Sequence, residues 1–274
     1  MTSGWEASLR LGYVYNNGRT VLTQKQHTGP LVVQKALYPE GDAVCHTLIV
    51  HPPGGIAGGD RLAIDATLAA DAKVLFTTPG ATRWYRSTGT AASQGVTLQA
   101  KAGAVVEWLP QETIYFDHTI AQNSLDVQLE GNAVFIGWEI ACLGRQRAGE
   151  AFEHGRVRQA MTIQVDGRTV FIERGQLNAQ DALLASPLGF GGDKVFGTLM
   201  AHSSRCSVPL LERCRDVAIP DGMRAGLTLI GNTLIGRALG NSSEQTRAVF
   251  VEWWKIIREP LCGQVAVIPR IWRT

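Results

Sequence analysis

Thirty glycines and 11 prolines are scattered through 274 residues without a Gly-X-Y period, and no other feature restricts the possible folds so much. Glycine weakens helices and strands, and proline removes a backbone donor, so elements interrupted this often are short and joined by many turns. A helical bundle and a collagen-like rod are excluded, and the balance shifts to β structure. The short elements still pack. Apolar residues make up 45% of the chain and charged residues 18%, against roughly 25% charged in average soluble domains. Disorder therefore does not describe the whole. The length lies near the upper size for one hydrophobic core. A single domain over 1–274 is expected, about 1–240 forming a β-rich body and about 241–274 a C-terminal helix and tail.

The strand signals are local. Thr47-Leu48-Ile49-Val50 is apolar and stops at Pro52-Pro53-Gly54-Gly55, and Lys73-Val74-Leu75-Phe76-Thr77-Thr78 stops at Pro79-Gly80. Val96 to Ala100 and Val105 to Leu109 flank Lys101-Ala102-Gly103 as strand-and-turn units. Ser124 to Leu129 alternates polar and apolar, the period of a strand with one wet face; Glu130-Gly131-Asn132 is its turn, and Val134 to Trp138 returns. Ala160 to Val165, Asp166-Gly167 and Arg168 to Ile172 predict a hairpin, because Asp-Gly tolerates the positive φ angles of a type I′ turn.

One helix is predicted near the C-terminus. Ser242 and Ser243 can cap it, Gln245 stands three residues after Ser242 as in a capping box, and Val249, Trp253, Ile256 and Ile257 form its apolar stripe up to Pro260. Leu227 to Leu239 is ambiguous, since Leu227, Ile230 and Leu234 fit a helical stripe that Gly226, Gly231 and Gly236 weaken.

Charge excludes some partners. Twenty-six basic residues against 24 acidic ones give a net charge of +2, too little for a nucleic-acid or anionic-membrane footprint. No apolar run approaches a transmembrane span, and the N-terminus lacks a basic stretch followed by an apolar one, so the cytosol is the expected compartment. Cys45, Cys142, Cys206, Cys214 and Cys262 are odd in number and widely spaced, which suits reduced thiols. GxSxG, HExxH, GxxxxGK[ST] and GxGxxG motifs are all missing.

What chemistry remains is concentrated in a few segments. Gly54-Gly55-Ile56-Ala57-Gly58-Gly59-Asp60 could cradle an anion with backbone amides or form a tight double turn. Cys45, His46 and His51 offer metal-ligand types, but neighbouring strand residues face opposite ways, which leaves His51 at the lip of the glycine loop as the better contact. Glu107, Glu112 and Asp117 recur around Trp108-Leu109-Pro110 and could include a glycosidase-like pair. Arg83-Trp84-Tyr85-Arg86 mixes cations with aromatics, as binding hot spots do, or packs an aromatic between snorkelling arginines.

Three longer segments resemble one family. His51-Pro52-Pro53-Gly54-Gly55-Ile56-Ala57-Gly58-Gly59-Asp60, Thr77-Thr78-Pro79-Gly80-Ala81-Thr82-Arg83-Trp84-Tyr85-Arg86-Ser87 and Glu107-Trp108-Leu109-Pro110-Gln111-Glu112-Thr113-Ile114 are similar, in order, to the signature segments of the urease accessory protein family UreD, also called UreH. Gly29 to Lys35, Tyr38-Pro39-Glu40-Gly41, Trp138-Glu139, Gly144-Arg145, Gly149 to Phe152 and Pro269-Arg270-Ile271-Trp272 extend the resemblance over nearly the whole chain, with a looser match from about 175 to 240.

The resemblance implies a mainly β fold, a layered or helically coiled sheet with a small C-terminal helical part. It also implies a non-enzymatic role: a chaperone or scaffold that joins UreF and the GTPase UreG on apo-urease and conducts nickel to its active site, with no permanent cofactor. A passage for a divalent cation needs oxygen and imidazole groups that bind weakly enough to let go. The implied lining residues are His51, Asp60, Thr77, Thr78, Glu107, Glu112, Glu139 and Glu150, and the implied docking residues Arg83, Tyr85 and Arg86. The competing reading is a β-sandwich or β-helix hydrolase using carboxylates near Glu107 and Glu112. An apolar, charge-poor surface suits permanent partners. The isolated chain is therefore expected to aggregate unless UreF is co-expressed; size-exclusion chromatography showing a clean, stable monomer at high concentration would count against this.

Overall fold

In the computed structural model, which describes residues 4–273, the chain coils between two stacked sheets. It starts with the strands β1 (Glu6–Asn16), β2 (Arg19–Thr28) and β3 (Val32–Val33). It then passes β4 (Val44–Val50), β5 (Arg61–Leu68), β6 (Lys73–Thr77), β7 (Thr82–Trp84), β8 (Ala92–Ala100), β9 (Val105–Trp108), β10 (Thr113–Tyr115), β11 (Thr119–Leu129), β12 (Val134–Leu143) and β13 (Gly155–Val165). The outer sheet has the order β13-β11-β8-β5-β1, all parallel, with β2 antiparallel at one edge. The middle sheet is built on parallel β12-β9-β6-β4, with β3 antiparallel beyond β4 and β10 and β7 as a side branch of β12.

The expected Asp-Gly hairpin joins β13 to β14 (Arg168–Asn178), with φ of +48° at Asp166 and +76° at Gly167. After a short helix α1 (Ala182–Ala185), β15 (Val195–His202) extends the middle sheet, and α2 (Val208–Arg215) follows. Leu227 to Leu239 forms strands: β16 (Arg224–Ile230) and β17 (Thr233–Gly240) make a hairpin at the edge of the middle sheet. The glycines that weaken a helix here serve close packing instead. A Cβ on Gly236 would lie 2.7 Å from the Trp253 ring, so only glycine lets the overlying helix approach.

That helix, α3 (Ser243–Cys262), begins where predicted, with the Ser242 hydroxyl accepting from the Gln245 amide at 3.2 Å. Pro260 does not end it. The helix forfeits one amide donor and continues to Cys262, where Gly263 (φ +71°) closes it by donating to Glu259 O. The mainly β fold with a small C-terminal helical part is thus the observed architecture, in three layers: outer sheet, middle sheet, helices. One apolar core lies between the sheets, around Leu9, Phe76, Trp108 and Phe135, and the other between the middle sheet and α3, around Trp138, Phe250, Trp253 and Trp254.

At two of the expected turns the flanking strands do not pair with each other. Lys101 to Ala104 and Glu130 to Ala133 carry the chain from one sheet to the other, so β8 does not pair with β9, nor β11 with β12. The reason lies in the residues that follow. Every residue of β12 is buried, which only a middle layer covered on both faces can satisfy, whereas β11 alternates and can leave one face wet. These corners stack: Lys101 N donates to Leu68 O, Glu130 N to Ala100 O, and Asp166 N to Leu129 O. At the opposite edge the connections are longer loops, 51–60, 78–91, 109–118 and 144–154.

A buried ion cluster ties the layers together. Arg258 of α3 is 0% exposed and donates to both oxygens of Glu107 on β9 (3.0 and 2.9 Å), to both of Glu40 before β4 (2.5 and 2.9 Å), and to Val265 O (2.6 Å). Trp254 Nε1 donates to Glu107 at 2.7 Å, and His46 Nε2 lies 2.5 Å from Glu40. Burial alone would lower the Arg258 pKa, but the Glu107 charge and the Glu40 hydrogen bonds outweigh it and raise it. Burial likewise would raise the Glu40 carboxyl, yet His46 and Arg258 hold it below its ordinary value.

Arg258→Ala leaves two buried carboxylates facing each other and is expected to cost about 3–5 kcal/mol in urea unfolding. Arg258→Lys should recover only part, because an ammonium cannot grip two carboxylates bidentately. A loss below about 1 kcal/mol, the scale of an exposed pair, would show that the cluster is dispensable.

Candidate functional site

All three signature segments lie wholly or largely at the long-loop edge. A parallel coil leaves one sheet at the C-terminal ends of its strands and re-enters the other at their N-terminal ends, so residues far apart in sequence gather where the connections are long. There the ends of β4 and β9 and the residue following β6 enclose a cavity of about 230 Å³ between the sheets. His51 and Gly54 to Ile56 line it from the first loop, Thr78 to Arg83 from the second, Trp108 and Pro110 from the third, and Glu139 from β12.

Glu139 is 7% exposed and accepts from Trp108 Nε1 at 2.8 Å. Burial pushes its carboxyl up to about 7, against the opposing pull of the Trp108 indole. His51 is half-buried; burial lowers its pKa and the nearby Asp60 only partly offsets this, so the imidazole is neutral and has a free lone pair at neutral pH. The cavity is thus lined by a neutral imidazole and, from another element, by a carboxyl poised between its two protonation states. The hydroxyl of Thr78 adds an oxygen on the same wall, while donating to Gly80 O and accepting from Gln111 N.

The other expected lining residues lie elsewhere. Asp60 is buried and occupied by backbone, accepting from Trp5 N and Ala57 N at 2.8 Å each, so it closes the first loop. Thr77 faces the helical layer, where it donates to Leu109 O and accepts from Trp272 Nε1. Glu107 is on that same face, held by Arg258. Glu112 pairs with Arg247 at 3.5 Å, and Glu150 with Arg145 on the loop surface. The alternation of strands separates them. Glu107 is in register with Ile136, three residues from Glu139, so the two glutamates point to opposite sides of the middle sheet. A carboxylate pair of Glu107 and Glu112 open to a substrate is not formed, because Glu107 is 1% exposed and ion-paired.

The glycine loop is a tight turn whose amides are largely turned to the protein: Gly54 N donates to His51 O, Ile56 N to Arg83 O, Ala57 N to Asp60 Oδ2 and Asp60 N to Ala57 O. Gly55 permits close approach, since a Cβ there would come within 2.5 Å of the Tyr85 ring. Tyr85 also packs edge-on against Phe116, while Arg83 and Arg86 are exposed beside it. Trp108, Gln94 and Thr113 complete the cavity wall and were not singled out from sequence. Trp108 carried a usable signal, as an indole that needs a partner when buried.

Residues 6–273 match the family model described as UreD urease accessory protein. A protein called urease accessory protein UreD from Dechloromonas aromatica is 49% identical, covering 98% of this chain and 95% of its own length. Its counterparts from Azoarcus sp. (46% identical, 99% and 95% covered) and Pseudomonas savastanoi pv. phaseolicola (44%, 100% and 96%) are similar over the same extent.

The raised Glu139 carboxyl makes a pH-dependent contribution whose sign is fixed. Between the ordinary carboxylate range and about 7 the native state holds a proton that the unfolded chain has lost, so stability falls as pH rises through that window and is level above it. Glu139→Gln removes the titration. Its stability relative to the unsubstituted chain should rise by on the order of 3 kcal/mol between about pH 4 and pH 8 in urea unfolding. An equal gap at both ends would refute the raised carboxyl.

Proposed function

The chain belongs to the UreD family of urease accessory proteins, and from that premise we propose that it acts in urease maturation with UreF and the GTPase UreG on apo-urease, passing nickel towards the active site. The observation that carries the nickel step is Glu139, a carboxyl that burial holds near half-ionisation in a cavity shared with a neutral histidine. An arriving cation displaces the Glu139 proton, since its charge compensates the burial that disfavours the anion. Reprotonation from water reverses the exchange and lets the ion leave. His51 supplies a nitrogen suited to nickel, and two protein ligands are too few to trap an ion that stands high in the divalent affinity order.

Several features agree with a cargo protein rather than an enzyme. The sequence has no phosphate loop, as expected when GTP chemistry belongs to a partner. Glu107, the strongest catalytic candidate of the hydrolase reading, is consumed by Arg258. Arg83 and Arg86 are exposed on either side of the partly buried Tyr85, and Arg83 reaches the cavity wall, which supports a docking role for this segment. Leu188 is 97% exposed and Ile172 52%, consistent with surface that partners cover. No helix among the described residues is long and apolar enough to cross a membrane, and the cytoplasm is the proposed place of work.

The deciding experiment activates apo-urease with nickel in cells carrying the other accessory genes, with and without this gene, and measures bound nickel and urease activity in the purified enzyme. Nickel loading should require the chain, and His51→Ala with Glu139→Gln should slow it roughly tenfold or more while UreF still co-purifies. Full loading without the gene would refute the maturation role; unchanged kinetics in the double variant would refute the cavity as the nickel route.

A further inference from the structure

Two of the chain's six histidines face one carboxylate on the loop edge. His118 ends the third long loop and His154 ends the fourth, and the two loops are pinned to each other by His118 N donating to His154 O at 3.0 Å. Their rings stack with centroids 4.4 Å apart. His118 Nδ1 lies 2.8 Å and His154 Nδ1 3.4 Å from the same oxygen, Asp117 Oδ2. The three ligand atoms all fall within 4.8 Å of one another.

The carboxylate is fixed before any ion arrives. Asp117 Oδ1 accepts from the amides of Glu153 (2.9 Å) and His154 (2.7 Å), while Glu150, held by Arg145, accepts from Asp117 N at 3.0 Å. His118 adopts φ +65°, a left-handed conformation that a histidine adopts at a cost and that persists only where its surroundings impose it. Both imidazoles are about half exposed, at 49% and 51%, so coordination positions are left for water or an incoming ligand.

We propose that Asp117, His118 and His154 form an exchangeable surface site for a borderline divalent cation such as Ni²⁺, Co²⁺ or Zn²⁺. Two imidazoles and one carboxylate suit those ions, whereas Mg²⁺ and Ca²⁺ favour all-oxygen sets. Each ring presents Nδ1 to the shared oxygen, so an ion bound there takes Nδ1 and leaves Nε2 to solvent. The backbone bonds to Oδ1 and the Glu150 contact act as the outer support that orients such ligands. Contact continues from this site towards the cavity, since Phe116 beside Asp117 packs on Tyr85, which covers Gly55 of the cavity wall. The site stands on its own geometry and does not depend on the route through Glu139.

The test uses the full-length chain without a histidine tag, titrated with Ni²⁺ alone by calorimetry and with Co²⁺ alone while histidine ring resonances are followed by NMR. Paramagnetic broadening of His118 and His154 at substoichiometric Co²⁺ is expected. His118→Asn with His154→Gln should weaken Ni²⁺ binding roughly tenfold or more; asparagine tolerates the left-handed backbone, and circular dichroism checks the fold. His27→Asn, which removes an exposed histidine far away in sequence, should leave binding unchanged. Unbroadened His118 and His154 resonances, or unaltered Ni²⁺ affinity in the folded double variant, would overturn the proposal. The NMR result stands even if the double variant does not fold, and neither readout depends on urease.

Discussion

The Arg258 guanidinium is the point from which most of the architecture hangs. It sits on the terminal helix yet satisfies carboxylates from β9 and from the segment before β4, and its remaining donor reaches the chain beyond the helix. A charge so buried tolerates no partial arrangement, because breaking one contact leaves an ion without compensation in a poorly solvated interior. The cluster thereby fixes α3 against the middle sheet and makes the aromatic layer of Trp138, Phe250, Trp253 and Trp254 a packed core. It also sorts the acidic residues. Glu40 and Glu107 are neutralised on the helical side, which leaves Glu139 as the buried carboxyl facing the cavity between the sheets.

The second constraint is the parallel direction of the coiled strands. Because the repeated strands run parallel, one edge needs only stacked tight corners and the other must accommodate crossover loops. The corners contribute order, each donating an amide to the turn below. The loops contribute chemistry: the glycine-rich segment after His51, the aromatic and arginine segment around Tyr85 and the segment after Trp108 converge there. Glycine is needed where loops touch, as at Gly55 under the Tyr85 ring.

Cavity and surface cluster place similar ligand types in different electrostatic settings. Inside, Glu139 lacks a cationic partner and resists ionisation; outside, Asp117 is an anion held by backbone amides. A buried carboxyl that a proton and a cation compete for favours passage, whereas a preformed carboxylate beside two exposed imidazoles favours capture.

Much of the fold was legible in the sequence because its signals are local. The Asp166-Gly167 turn depends on two φ angles, the start of α3 on one hydroxyl three residues from its amide, and the wet face of β11 on period two. Pro260 was misleading, since a proline in the last turn costs one donor while the helix is held elsewhere by Arg258. The turns at Lys101 and Glu130 were legible as turns, but a turn records only that the chain reverses, not which sheet receives it. For the site, sequence named His51, Thr78 and Glu139 as lining residues, and these share one cavity, but it grouped them with Asp60, Thr77, Glu107, Glu112 and Glu150, assigned Arg83 to docking, and left His118 and His154 unassigned. By itself, then, the sequence determined the turns, the capped helix, the β-rich composition and, through its three signature segments, the family. The tertiary structure alone decided which carboxylates face one another and which histidines meet: a side chain's face depends on strand register and on contacts between loops far apart in sequence, and non-local packing sets both.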